Sequence, residues 1–196
     1  MGLIKMNRNY HKIIYTSSPD RGLEHLLKMW PDVKKAVPEA ELYIAYGFAI
    51  FDRMYENTNQ GAMQWKEKML EMMKQPGITD YGRLSQPDVE KLMRSCAIFA
   101  YPTHFSEINC ISALKSQYLG LEPVVINYAA LKETVQFGRK IEGDIFDEEV
   151  QNEFKKQLID ALQNPMSEEK RQEMTQWAKQ FEWSKIAFSW TEEFKK

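Results

Sequence analysis

Two loops carry the residues with the most chemical potential. The first reads Thr16-Ser17-Ser18-Pro19-Asp20-Arg21-Gly22, and the second runs over 103–111 with Thr103, His104, Glu107, Ile108, Asn109, Cys110 and Ile111. A guanidinium beside a glycine, a few hydroxyls and the uncommitted amides at a helix start suit an anion of diphosphate size. The first amides of a helix lack intrahelical partners and sit at its positive end. Glu107 has two readings, a first-turn carboxylate favoured by the helix dipole or an acceptor for ligand hydroxyls. Arg21 has two as well, a ligand contact or a solvated charge. His104 reads as loop packing before catalysis.

Other chemistries lose support. There is no Gly-x-Gly-x-x-Gly, no Walker loop and no Gly-x-Ser-x-Gly elbow, and the three histidines His11, His25 and His104 are scattered, so no metal site is expected. Cys96 and Cys110 lack metal-ligand spacing and read as small buried apolar residues. With two cysteines and 11 methionines, a reducing, cytoplasmic setting is expected. A net charge of −2 and a pI near 6.0 leave no broad positive field for nucleic acid. No run is long enough for a transmembrane segment, and residues 1–11 lack the apolar block of a signal peptide.

Periodicity predicts the elements that hold these loops. A β-branched strand over 11–15 is ended by the turn-forming residues 16–22. Leu23, Leu26, Leu27, Trp30, Val33 and Val37 then mark one face of a helix that Pro38 stops. A strand over 41–46 ends at Gly47, where the backbone bends sharply or approaches a ligand. Residues 48–58 fit no single period. Trp65, Met69, Met72 and Met73 mark a Met-rich helix, read as core, ending before Pro76-Gly77.

A strand and turn over 78–84 leads to a helix starting at Ser85 or Gln86, with Pro87 and Asp88 in its first turn and Val89, Leu92 and Met93 inward. The apolar run 96–101 is the next strand, and Pro102 ends it. A helix with Ile111, Leu114 and Tyr118 at helical period follows, then a strand over 123–127, a short helix over 129–135 and an extended piece over 139–143. The remainder is helical, in three stripes. The last, with Trp183, Ile186, Ala187, Trp190 and Phe194, is either an edge helix closing this core or a surface that docks on a partner domain.

The alternation of strands and helices implies an α/β, Rossmann-like parallel sheet with flanking helices, right-handed crossovers and a helical C-terminal tail. In such sheets ligands lie beyond the carboxyl ends of the strands. A receiver of flavodoxin type would need an acidic cluster after the first strand, and only Asp20 stands there. At 196 residues the chain reads as one domain, 1–196, with a helical C-terminal segment over 147–196.

The wording of particular stretches resembles a known family. Tyr15-Thr-Ser-Ser-Pro-Asp-Arg-Gly-Leu-Glu-His-Leu-Leu27, Trp30-Pro31, Pro38-Glu-Ala-Glu-Leu42, Tyr46-Gly47, the block 101–125 and Phe181-Glu-Trp183 followed by Trp190 look like the C-terminal half of a GT-B retaining glycosyltransferase, group 1 and GT4-like. The resemblance implies a domain, one half of a GT-B fold, that binds a nucleotide diphosphate sugar as donor substrate without metal or other cofactor. The acceptor domain would be supplied elsewhere, as an N-terminal domain or partner subunit.

Carried over by position, Arg21 of Arg21-Gly22 matches the cation on the donor diphosphate, with Ser17 and Ser18 in the same loop. Gly82, Arg83 and Leu84 match a turn near the nucleobase. Glu107 matches the first of two family glutamates, beside the donor sugar, and the amides of Ile108, Asn109, Cys110 and Ile111 match the diphosphate cradle. Two departures stand out. Lys115 occupies the place of the second, ribose-binding glutamate, where it offers donors only. The Thr16-Ser17-Ser18 stretch replaces a second basic residue. Lys115 is thus either a ligand contact or an ordinary helix lysine. A degenerate, non-enzymatic half acting as a regulatory or assembly partner is the alternative function.

Overall fold

A computed structural model describes residues 8–195; residues 1–7, part of the stretch read above for a signal peptide, and residue 196 lie outside the described residues. Six strands form one sheet in the order β3-β2-β1-β4-β5-β6, with every neighbouring pair parallel. They are β1 (Asn9–Tyr15), β2 (Glu41–Ile44), β3 (Ile78–Asp80), β4 (Cys96–Tyr101), β5 (Glu122–Ile126) and β6 (Arg139–Ile141). Strands β4 and β5 are buried along their whole length, as their nearly unbroken apolar runs require of central parallel strands.

From β1 the chain winds to β2 and β3, then crosses back to β4 and winds the other way. Right-handed crossovers therefore send the helices of the two halves to opposite faces. One face carries α1 (Leu23–Ala36), α2 (Ala49–Tyr55), α3 (Gln60–Met72) and α7 (Glu148–Gln163), with α1 packed on α3 and α7. The other carries α4 (Gln86–Ser95), α5 (Ile111–Tyr118) and α8 (Glu168–Ala178), with α8 packed on α5. A short α6 (Leu131–Thr134) links β5 to β6, and α9 (Trp183–Glu193) ends the described chain. Among the described residues, no helix is long and apolar enough to cross a membrane.

At one place the structure differs from the sequence expectation, the buried face of α5, and at two it decides between readings that the sequence leaves open. The unassigned stretch 48–58 contains α2, because Phe51 reaches the core and stacks on Trp65 at 5.3 Å. The buried face of α5 is Ala113, Ser116 and Gln117, whereas Ile111 and Tyr118 are exposed. Gln117 can be fully buried because its amide is saturated: Nε2 donates to Thr134 O at 2.7 Å and Ala113 O at 3.1 Å, and Oε1 accepts from the amides of Gln136 and Phe137. The aromatic stripe of α9 does not close the core. No residue of that helix is buried, and Trp183 is 78% exposed.

Helix α1 runs through Pro31, which removes the amide that would bond the Leu27 carbonyl. Gln75 Nε2 donates to that carbonyl instead, at 3.0 Å, so the helix continues without a buried orphan. It ends at Ala36, ahead of Pro38, because Val37, at φ −134° and ψ 87°, has left the helical region that a pre-proline residue disfavours. Glu24 ties α1 to α3, accepting from Trp65 Nε1 at 2.8 Å and pairing with Lys68 at 3.0 Å and Lys28 at 2.9 Å. Burial raises its pKa, but the bonds from Lys28, Trp65 and Lys68 outweigh that and hold it at about 2.

Two stability measurements follow. Gln75→Leu should cost about 1–2 kcal/mol in urea unfolding, and less in a Pro31→Ala background, where residue 31 supplies the amide; equal costs in both backgrounds would refute the substitution of one donor for the other. Because the pKa of Glu24 is depressed, its stabilisation is complete above the ordinary value of 4.5 and fades as pH falls toward 2. Glu24→Gln should therefore flatten the loss of stability across that window.

Candidate functional site

The sheet reverses its winding between β1 and β4, so the loops leaving those strands diverge to opposite faces and a crevice opens between them. Here they also touch. Gly22, at φ +110°, precedes α1, and a Cβ on it would lie 2.2 Å from the Pro102 carbonyl oxygen. Any L side chain would drive the two loops apart, so this glycine sets their spacing.

Across that contact the charged residues of the loops meet. Arg21 Nη1 lies 3.3 Å from Glu107 Oε1, and its guanidinium stacks 3.8 Å from the Phe105 ring centroid. Tyr101, the last residue of β4, donates to the same Glu107 oxygen at 2.6 Å. With that proton committed, Ser17 Oγ, 3.1 Å from Tyr101 Oη, is the donor to it. Tyr15 completes the floor, packing edge-on against Tyr101 at 5.8 Å and donating to the Ser18 carbonyl at 2.8 Å.

The electrostatics follow from this arrangement. Partial burial, the largest single influence, works against the Arg21 charge, but Glu107, Tyr101, Asp20 and Tyr46 together outweigh it and the pKa is raised. Burial, reinforced by Glu107, pushes the Tyr101 phenol well above its ordinary range, so it stays a donor. Burial pushes the thiols of Cys96 and Cys110 up to about 11 and about 12, which leaves both protonated and matches their reading as buried apolar residues.

The loop 103–111 is braced from within and from the segment that follows β5. Thr103 Oγ1 accepts from the Phe105 amide at 2.9 Å, and the Glu107 carbonyl accepts from the Ala130 amide at 3.1 Å. Thr103 is fully buried, so it holds the loop's shape and does not face the crevice. Cys110 stands at the N-terminal boundary of α5 without a side-chain capping bond and is buried, while Ile108 is 97% exposed. Of the amides from Ile108 to Ile111, only that of Ile111 is engaged among the described residues, with the Asn109 carbonyl at 3.1 Å.

One turn along α5, Lys115 Nζ donates to Gln86 Oε1 at 2.9 Å, at the start of α4. Just before that helix, the turn of Gly82, Arg83 and Leu84 abuts the end of β2. A Cβ on Gly47, at φ +74°, would sit 3.1 Å from the Arg83 amide nitrogen. Gly47 is thus a close backbone approach between two loops, with Arg83 exposed beside it.

The sequence-predicted residues therefore fall into a connected set and a bracing set. Ser17, Arg21, Gly22 and Glu107 meet at the winding reversal, and Lys115, Gly47, Gly82 and Arg83 line the flank toward α4. Ser18, Thr103 and Cys110 serve the loops' own geometry. Sequence reasoning missed Tyr101 and Phe105. The one available signal was their position, an aromatic at the end of a buried strand and another two residues before Glu107. Among the described residues there is no cluster of metal-ligating side chains.

A cavity of about 760 Å³ lies beside this site. Its lining includes Pro19, Asp20, Gly22 and His104 from the same two loops but neither Arg21 nor Glu107, so it adjoins the ion pair without containing it.

A family model described as glycosyl transferases group 1 matches residues 4–181. No curated relative matches the chain. Among solved structures, the chain is similar to a GtfA/B complex at 14% identity and TM-score 0.75, covering 97% of this chain and 37% of that one. It is similar to the pneumococcal O-GlcNAc transferase GtfA in complex with UDP and GlcNAc, at 14% identity, TM-score 0.73, and 96% and 36% coverage. Anabaena Alr3699/HepE in complex with UDP and glucose follows at 15%, TM-score 0.68, with 96% and 48% coverage. At such identities the likeness is one of fold, and the chain spans less than half the length of each.

Two substitutions test the geometry. Gly22→Ala should cost roughly 3 kcal/mol or more in denaturant unfolding, and Tyr101→Phe about 1–3 kcal/mol, from the lost bond to a carboxylate. A near-neutral Gly22→Ala would mean that the loops are not held against each other as described.

Proposed function

The chain belongs to the group 1 glycosyl transferases, of GT-B type, and from that premise we propose that it is the donor-binding half of a retaining, GT4-like enzyme. It would bind a nucleotide diphosphate sugar, and the complete enzyme would move the sugar to an acceptor hydroxyl. The observation that carries this reading is the Arg21–Glu107 pair at the winding reversal, which sets one cation and one hydroxyl acceptor side by side where α/β sheets bind ligands.

In the proposed complex, the diphosphate takes Arg21 from Glu107. A diphosphate carries more negative charge than one carboxylate and offers the guanidinium a bidentate partner. Glu107, still held by Tyr101, is then free to accept from hydroxyls of the donor sugar. The amides at the start of α5 and its dipole meet the departing charge, so the leaving diphosphate is stabilised by protein groups and no metal is required. Gly47, Gly82, Arg83 and Leu84 border the nucleobase. Lys115, drawn from Gln86, donates to ribose or phosphate oxygens.

Because the chain spans under half the length of its structural neighbours, the acceptor domain belongs to another segment or subunit. The described chain should then bind donor yet turn over little. The exposed aromatic stripe of α9 supports a domain that works docked on another. The second reading, a degenerate half without activity, is favoured by Lys115 standing where a carboxylate is expected.

Calorimetry separates the two. UDP comes first, because structural neighbours hold it, followed by GDP, ADP and the corresponding sugars. At least one should bind. Arg21→Ala should weaken the diphosphate about tenfold to a hundredfold, and Glu107→Ala should erase the difference between nucleotide and nucleotide sugar. No binding of any of them at millimolar concentration would sink the donor reading.

A further inference from the structure

Lys115 Nζ donates to Gln86 Oε1 at 2.9 Å, a bond that joins α5 to the start of α4 across the path of the proposed nucleotide. From this bond we infer that the donor site does not read the ribose hydroxyls, and that it takes 2′-deoxynucleoside diphosphate sugars as readily as their ribose counterparts. The inference deepens the donor-binding reading above and rests on it.

Helix geometry sets the place of the ribose. With the diphosphate at the first amides of α5 and the donor sugar toward Glu107, the nucleoside runs to the other side. There lie the turn of Gly82 and Arg83 and the close approach at Gly47. Ile111 and Lys115 are four residues apart on α5, hence on one face and about one turn, 5.4 Å, from each other. Side chains on a helix lean toward its N-terminus, so Lys115 reaches back toward the diphosphate end. A ribose adjoins the diphosphate it carries and therefore lies over this turn.

A site selects a vicinal diol through its two protons, and for that it needs free acceptors. On this flank the side-chain oxygens serve their own turns. The Gln86 oxygen is taken by Lys115. Asp80 accepts from the Gly82 amide at 2.8 Å, and Asp88 accepts from Ser85 Oγ in the first turn of α4. Ser112, in the first turn of α5, donates to the Thr16 carbonyl at 3.4 Å. Arg83 is exposed and offers donors only.

Lys115 can donate to a ribose oxygen, but only by leaving Gln86. One bond to a neutral oxygen then replaces another, and the exchange gains little. Over a deoxyribose the lysine keeps Gln86 and loses nothing. Its side chain is only half-buried, so neither state strands a desolvated charge. An ammonium that turns to a phosphate oxygen instead leaves the hydroxyls equally unread. Both routes give the same specificity.

Calorimetry with matched pairs tests this, setting the diphosphates of uridine, guanosine and adenosine against their 2′-deoxy forms. In the wild-type chain, the members of any pair that binds should differ by about threefold or less. Lys115→Glu exchanges donors for a carboxylate that accepts from a hydroxyl, and it should raise the preference for the ribose form to about tenfold or more. A loss of packing alone would weaken both members equally and leave their ratio where it was. Gln86→Glu, isosteric and at an exposed position, sets a carboxylate beside Lys115 and should move the ratio the same way should Lys115→Glu fold poorly. A wild-type preference for ribose beyond about threefold, or a ratio unmoved by either variant, would overturn the inference and leave the donor reading standing. Binding of no pair at all would overturn the donor reading, and the inference with it.

Discussion

The approach of Gly22 to the Pro102 carbonyl is the contact on which the rest of the site depends. A right-handed doubly wound sheet must open a crevice where its winding reverses, but the width of that crevice is set by what its two loops allow. With a hydrogen where others carry a Cβ, Gly22 lets the loop after β1 lie directly on the loop after β4. Arg21 then reaches Glu107, Phe105 lies under the guanidinium, and the strand ends place Tyr101 and Ser17 to orient the carboxylate. A wider crevice would leave two solvated charges with no reason to meet.

The resulting pair is half-open, and that matters for function. Arg21 is a third exposed and Glu107 less so, which makes the pair weak enough to exchange and ordered enough to present a fixed cation. Tyr101 adds the asymmetry, since its bond to Glu107 persists when Arg21 turns to another partner. The departure at Lys115 lies further along α5, away from this exchange. The pair and its supports are therefore intact whichever way the lysine serves.

Much of this was legible in the sequence because parallel sheets write themselves plainly. The buried runs of β4 and β5, the turn chemistry of 16–22, the proline closing β4 and the serine cap of α4 each state a local rule that the structure obeys. What stayed hidden depends on partners distant in sequence. Pro31 sits inside α1 only because Gln75 replaces its missing donor, and Gln117 can be buried only because four backbone groups converge on it. The aromatic stripe of α9 has the same period whether it faces a core or solvent, so periodicity could not choose. Arg21, Gly22 and Glu107 were readable from their places at loop and helix start; Tyr101 was not, because a strand-end tyrosine looks like core until its hydroxyl is located.

The central claim is that the winding reversal between β1 and β4 holds the diphosphate of a sugar nucleotide. A crystal structure of the chain with UDP tests it most directly. The account predicts the diphosphate against Arg21 and the first amides of α5, with the Arg21–Glu107 contact opened and the Tyr101–Glu107 bond kept. UDP bound elsewhere, with Arg21 still on Glu107, would contradict it.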